Sequence, residues 1–222
     1  MAGIRAARAN LVPGLAVQAA MLAVVLAYYF YPPTTGWLDA MAQVKARWGY
    51  LYSAGAAVVA GAVLPEILRV LVFQGGKVER GNLRNLLHTV PFWGIMAITV
   101  DALYRAQAVW FGTEVTFPVV AKKVIFDQFV FSPLISGPLT VWFYDFKNHG
   151  RNVTRPAEFF TVAHYREHVL PVMFATWGVW IPVVSLLYSL PPLLQIPMYV
   201  LALTLWVMIY TWMSEQQRKQ AG

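Results

Sequence analysis

Apolar residues fall into six long blocks with short polar breaks between them. The blocks cover Leu11–Phe30, about Trp48–Phe73, about Leu87–Phe111, Pro118 to about Phe146, about Val169–Leu190 and Leu193–Met213. A helix rising 1.5 Å per residue needs about 20 largely apolar residues to cross a hydrocarbon core of ~30 Å, so each block predicts a membrane span. Pro191-Pro192 divides the last two blocks, because proline has no amide to donate and cannot continue a helix. The break is short enough to predict an antiparallel hairpin. The longest polar connection, about Asp145 to His168, predicts a loop with an amphipathic juxtamembrane helix. The expected fold is all-α, a polytopic transmembrane bundle of about six segments with both termini on the same, inside, face. Five spans are expected instead if one segment lies in the interface.

Charge distribution tests that topology. With the N-terminus inside, Arg5, Arg8, Lys77, Arg80, Arg84, Lys147, Arg151, Arg155, Arg166, Arg218 and Lys219 fall on one side, and only Lys45, Arg47, Lys122 and Lys123 on the other. Eleven against four matches the positive-inside rule. Composition agrees: 59% of the 222 residues are hydrophobic and 12% are charged, against about 25% charged in soluble domains. The net charge of +7 sits in loops, where it sets topology and meets anionic head groups rather than nucleic acid. The lipid bilayer is the expected partner, with a homo-oligomer or the subunits of a membrane complex as further partners. With no cysteine, disulfides, iron–sulfur clusters and thiol catalysis are excluded. Leu11–Phe30 lacks a small-residue cleavage site and reads as a retained span.

Candidate chemistry lies in polar residues inside apolar blocks. The run Lys122 to Leu134 carries Lys122, Lys123, Asp127 and Gln128 in an otherwise apolar stretch. A charge near a bilayer centre costs ~3 kcal/mol on insertion scales, so such residues face a partner or a wet cavity. Asp127 lies nine residues past Pro118, about 13 Å along a helix. Its side chain is too short to reach the head groups, whereas Lys122 and Lys123 lie shallower and can. Three acid–base pairs recur at helical spacing: Glu66 with Arg69, Asp101 with Arg105, and Lys123 with Asp127. Each pair shares a helix face and can neutralise itself. Two readings follow: a polar pathway lined by these residues and Gln128, or a buried salt-bridge network that fixes helix register. Small residues near the pairs, including Ser53, Gly55, Ala60 and Gly61, allow close helix approach.

His164-Tyr165-Arg166-Glu167-His168 matches the inverted zinc-protease pattern, with His164 and His168 as ligands and Glu167 for acid–base work. No third ligand is evident, so the segment is expected to be an amphipathic turn. Asn152-Val153-Thr154 forms a glycosylation sequon on the basic side, where it reads as accidental.

Taken together, Lys122, Lys123, Asp127, Gln128 and Pro133 make a Lys-Lys…Asp-Gln…Pro pattern at the start of a span. Trp180, Pro182, Tyr188, Pro192, Trp206 and Trp212 follow in a Trp, Pro, aromatic, Pro, Trp, Trp order. In these features the chain resembles the Mpv-seventeen/PMP-twenty-two family of peroxisomal and inner mitochondrial membrane proteins. The resemblance covers about residues 45–213. Residues 1–44 read as a tail, an added span and a connection, and 214–222 as a polar tail. The sequence departs from the family at Gly61-Ala62, Glu66, Ala97-Ile98, Asp101 and Ile181. The resemblance implies a multi-span helical protein forming a weakly selective small-solute channel, in a mitochondrial inner or bacterial cytoplasmic membrane. The alternative is a structural or accessory subunit without transport activity. No nucleotide motif, transporter repeat or cofactor box is present; the chain is expected to be no enzyme and to need no cofactor.

Overall fold

The computed structural model describes residues 11–149, 156–159 and 161–221. Arg5, Arg8, Arg151, Arg155 and the sequon Asn152–Thr154 lie outside the described residues. Among the described residues all regular structure is helical. Helix α1 spans Leu11–Phe30 and α2 spans Thr35–Trp48. Helix α3 is Tyr50–Phe73, with wide π-turns at Val59–Val63 and Arg69–Phe73. Helix α4 is Arg80–Phe111. Helix α5 is α-helical over Phe117–Phe126, π-helical over Asp127–Ser136 and α-helical again over Gly137–His149. The short α6 is Pro156–Phe159. Helix α7 consists of Val162–Phe174 and Thr176–Tyr188, bent by 54° where they meet. Helix α8 is Pro192–Ala221.

By length and composition, α1, α3, α4, α5 and the Pro192–Met213 part of α8 can each cross a membrane, and bent α7 makes a sixth if its two arms form one span. This is the multi-pass bundle expected from hydropathy. The exterior agrees: Leu15, Leu22, Leu71, Ile95, Val109, Ile125 and Leu134 are all exposed, as lipid-facing side chains must be. Helix α8 lies at the centre and touches α1, α2, α3, α4 and α7. Its stretch Leu194–Tyr199 is buried all round, which a central helix requires and an amphipathic surface helix does not show.

Three features differ from expectation. The segment after the first span is the helix α2 rather than a plain connection. Its buried face is Leu38, Ala42 and Lys45, spaced four and three residues apart. Gly49, at φ 53°, breaks the chain between α2 and α3 in a conformation that favours glycine. The polar stretch around 145–168 is shorter as a loop than its composition suggests, since α5 runs through His149 and α7 begins at Val162. The expected juxtamembrane helix is largely the first arm of α7. Finally, the added span α1 packs within the common core. Val17 and Met21 are buried in the common core, Gln18 Nε2 donates to Gly178 O at 2.8 Å, and Tyr29 Oη donates to Ser189 O at 2.5 Å. A boundary near residue 44 marks where the resemblance starts, not a break in packing.

The π-segment of α5 locks that helix to α7. In π-geometry each N–H reaches the carbonyl five residues back. Pro133 therefore cannot serve Gln128 O, and Pro138 cannot serve Pro133 O. Both vacancies are filled from α7: Trp177 Nε1 donates to Gln128 O at 3.0 Å, and Tyr165 Oη donates to Pro133 O at 3.0 Å. Trp177→Phe is expected to lower stability by about 1–3 kcal/mol, the cost of a carbonyl left unsatisfied away from water. Adding Pro133→Ala should recover part of this, because alanine supplies the missing amide. Thermal unfolding in detergent reads both variants.

Candidate functional site

The polar residues singled out from sequence do not form one pathway. They separate into two ion-paired clusters and one carboxylate facing a cavity. Two further acid–base positions, Lys45 and Glu215, had not been singled out.

The first cluster joins α2, α3 and α4. Asp101 is 2% exposed and pairs with Arg105 one helical turn away, at 3.0 Å. Its other oxygen meets Lys45 Nζ and accepts from Ser53 Oγ at 2.7 Å. Lys45 also donates to Ser53 Oγ at 2.9 Å and to Gly49 O at 3.0 Å. Burial holds the Lys45 ammonium below its ordinary pKa, against the opposing pull of Asp101. Arg105 is half-exposed and stacks on Tyr50, 4.6 Å from the ring centroid. The charge distribution counts Lys45 among the basic residues of the outer side. The signal that could have found it is its register with Leu38 and Ala42 on the inner face of α2.

The second cluster joins α3, α4 and α8. Glu66 pairs with Arg69, as its spacing predicts, and also accepts from Asn85 Nδ2 and, at 2.7 Å, from Asn82 Nδ2. Arg69 Nε donates to Glu215 at 2.8 Å, tying the end of α3 to α8. Beside this cluster a polar pocket of about 330 Å³ is lined by Arg69, Asn82, Arg84, His88, Lys147 and Glu215, among others.

Asp127 behaves differently. The expected pair with Lys123 is not formed: among the described residues no ion pair reaches Asp127. Its Oδ1 accepts from Gln128 Nε2 at 3.0 Å and Ser132 Oγ at 3.5 Å, and its Oδ2 from Tyr188 Oη at 2.7 Å. Lys123 does not reach the head groups either; it is 2% exposed, with its Nζ 5.9 Å from the Tyr188 ring centroid. The pattern misled because spacing places both residues near one face but does not show that neutral donors from α7 and the same helix take the carboxylate. Lys122 is exposed, as expected.

Asp127 and Gln128 line a cavity of about 940 Å³ among α4, α5, α7 and α8. Its walls are mostly apolar and aromatic. Its lining includes the exposed Glu167 and His168 and the buried Leu103, Tyr104, Val184 and Tyr199. Tyr104 and Tyr188 pack with ring centroids 4.9 Å apart beside Asp127. Glu66, Arg69, Asp101, Arg105 and Lys123 are not on this lining. Of the signature residues, Trp180 and Trp206 line the cavity, Pro133 sits in the π-segment, and Pro182 lies within α7. Pro192 opens α8, and the exposed Trp212 packs on Phe73 at 5.2 Å between ring centroids.

The weak metal candidate is not supported. His164 and His168 are brought together, but as stacked rings 4.3 Å apart rather than as converging ligands. His168 Nδ1 lies 3.2 Å from His164 O, which occupies that nitrogen with backbone. Among the described residues no three acidic, histidine or cysteine side chains group as a metal site.

No protein-family model matches the chain, and no curated protein or solved structure is significantly similar to it. The resemblance therefore rests on the residue pattern alone.

Proposed function

We propose that this chain is a weakly selective small-solute channel whose route is the cavity among α4, α5, α7 and α8. The carrying observation is Asp127. Unlike Asp101 and Glu66, it has no cationic partner among the described residues, and it faces the cavity. A buried carboxylate without a counter-charge is costly unless a proton or a passing cation supplies one. Asp127 sets the charge preference, and Gln128 offers a neutral hydrogen-bonding position. The two ion-pair clusters hold helix register outside the route. The basic loops face the inside of a mitochondrial inner or bacterial cytoplasmic membrane.

Solute flux in proteoliposomes tests the reading. Wild type is expected to pass small solutes with a preference for cations, and Asp127→Asn to lose that preference. Absence of flux in both, where a control channel conducts, overturns the proposal. The buried Leu103, Val184 and Leu203 on the lining favour a second reading, an accessory subunit without transport. Native mass spectrometry after mild extraction separates the two: association with other subunits supports the second, and a monomer or homo-oligomer counts against it.

A further inference from the structure

The cavity has a more specific chemistry than its size requires. We infer that it binds a small organic cation, an ammonium with an apolar or aromatic body. The inference rests on the cavity being the solute route and narrows the solute class. At about 940 Å³ the space suits a small organic molecule. Its lining includes Asp127 and Glu167 and, among the described residues, no lysine or arginine, in a chain whose net charge is +7. Anions are therefore disfavoured. Ten of the lining residues are aromatic, among them Trp93, Tyr104, Trp177, Trp180, Tyr199 and Trp206. Ring faces attract cations most effectively when the cation is weakly hydrated, which favours alkylated ammonium over a metal ion.

The hydrogen bonding at Asp127 sharpens this further. An ionised carboxylate offers about four acceptor positions. Gln128 and Ser132 fill those of Oδ1, and Tyr188 fills one of Oδ2. Among the described residues one acceptor position is left, enough for the single N–H of a tertiary ammonium. A hydrated metal ion would need several oxygens in place of its water, and three of the four positions are already taken. A neutral polyol would need many more hydrogen-bonding groups than these aromatic walls present.

The probe is N,N-dimethylbenzylamine, protonated at neutral pH, with benzyl alcohol and phenylacetate as neutral and anionic counterparts. Binding is followed by calorimetry on the purified full chain, and flux on the same preparation in proteoliposomes. The expected result is saturable binding of the amine, at least roughly tenfold weaker binding of the two counterparts, and a similar loss in Asp127→Asn. Trp180→Leu, which leaves the carboxylate in place, is expected to weaken amine binding several-fold in protein that still unfolds in a single cooperative transition. Equal binding of all three probes, no saturable amine binding, or full amine affinity in Asp127→Asn overturns the inference. Flux without amine binding overturns it while leaving the passage intact. Amine binding without flux removes the passage and leaves a binding site.

Discussion

Asp101→Leu is expected to destabilise the protein by about 3–5 kcal/mol. It strands the buried Lys45 ammonium with only Ser53 Oγ and Gly49 O as acceptors. Lys45→Met should cost less, because Asp101 keeps Arg105 and the Ser53 hydroxyl. The double variant Lys45→Met, Asp101→Leu should recover most of the loss. Removing both charges also removes their desolvation penalty, and neighbouring effects of this kind do not add. Unfolding of the four proteins in one detergent measures the cycle. Unchanged stability of Asp101→Leu would mean that Lys45 reaches water without Asp101, contrary to its buried position.

Gly61→Val is expected to have the second largest effect. A Cβ at residue 61 would lie 2.5–2.7 Å from three atoms of the Trp93 indole. Overpacking of this kind costs about 1–3 kcal/mol. Because Trp93 also lines the cavity, the displaced ring should reduce ligand binding as well as stability. Gly55→Ala is the control, since nothing lies within 4 Å of a Cβ there. Melting temperature and binding measured on both variants give the comparison; a Gly61→Val protein matching Gly55→Ala in both would contradict the Trp93 contact.

Hydropathy located the spans because length and apolar content suffice for a membrane helix. The all-α bundle was legible for that reason, and so were the pairs Glu66–Arg69 and Asp101–Arg105, whose partners lie on one helix. What sequence could not supply were contacts made between helices. Lys45 meets Asp101 only because Gly49 turns α2 back against α3 and α4. Glu215 meets Arg69 only because α8 continues past the apolar block. Lys123 and Asp127 look like a third pair, yet Tyr188 from α7 takes the carboxylate and no ion pair forms. The bend in α7 and the π-segment of α5 were also hidden. Pro133 and Pro138 hint at the latter, being five apart, but only the donors Trp177 and Tyr165 show how the lost hydrogen bonds are replaced. Helix α2 was missed because its hydropathy is low, although Leu38, Ala42 and Lys45 mark its inner face.

The cavity that Asp127 lines can carry solutes only if it is reached from the aqueous side. The absence of native cysteine allows a clean test with single substitutions and a membrane-impermeant thiol reagent. Ser132→Cys and Ser136→Cys place the probe on the cavity wall, Phe129→Cys on the exposed apolar exterior, and Val78→Cys in an exposed loop. The cavity account predicts labelling of Val78→Cys, Ser136→Cys and Ser132→Cys, and none of Phe129→Cys. Labelling of Val78→Cys alone would contradict it.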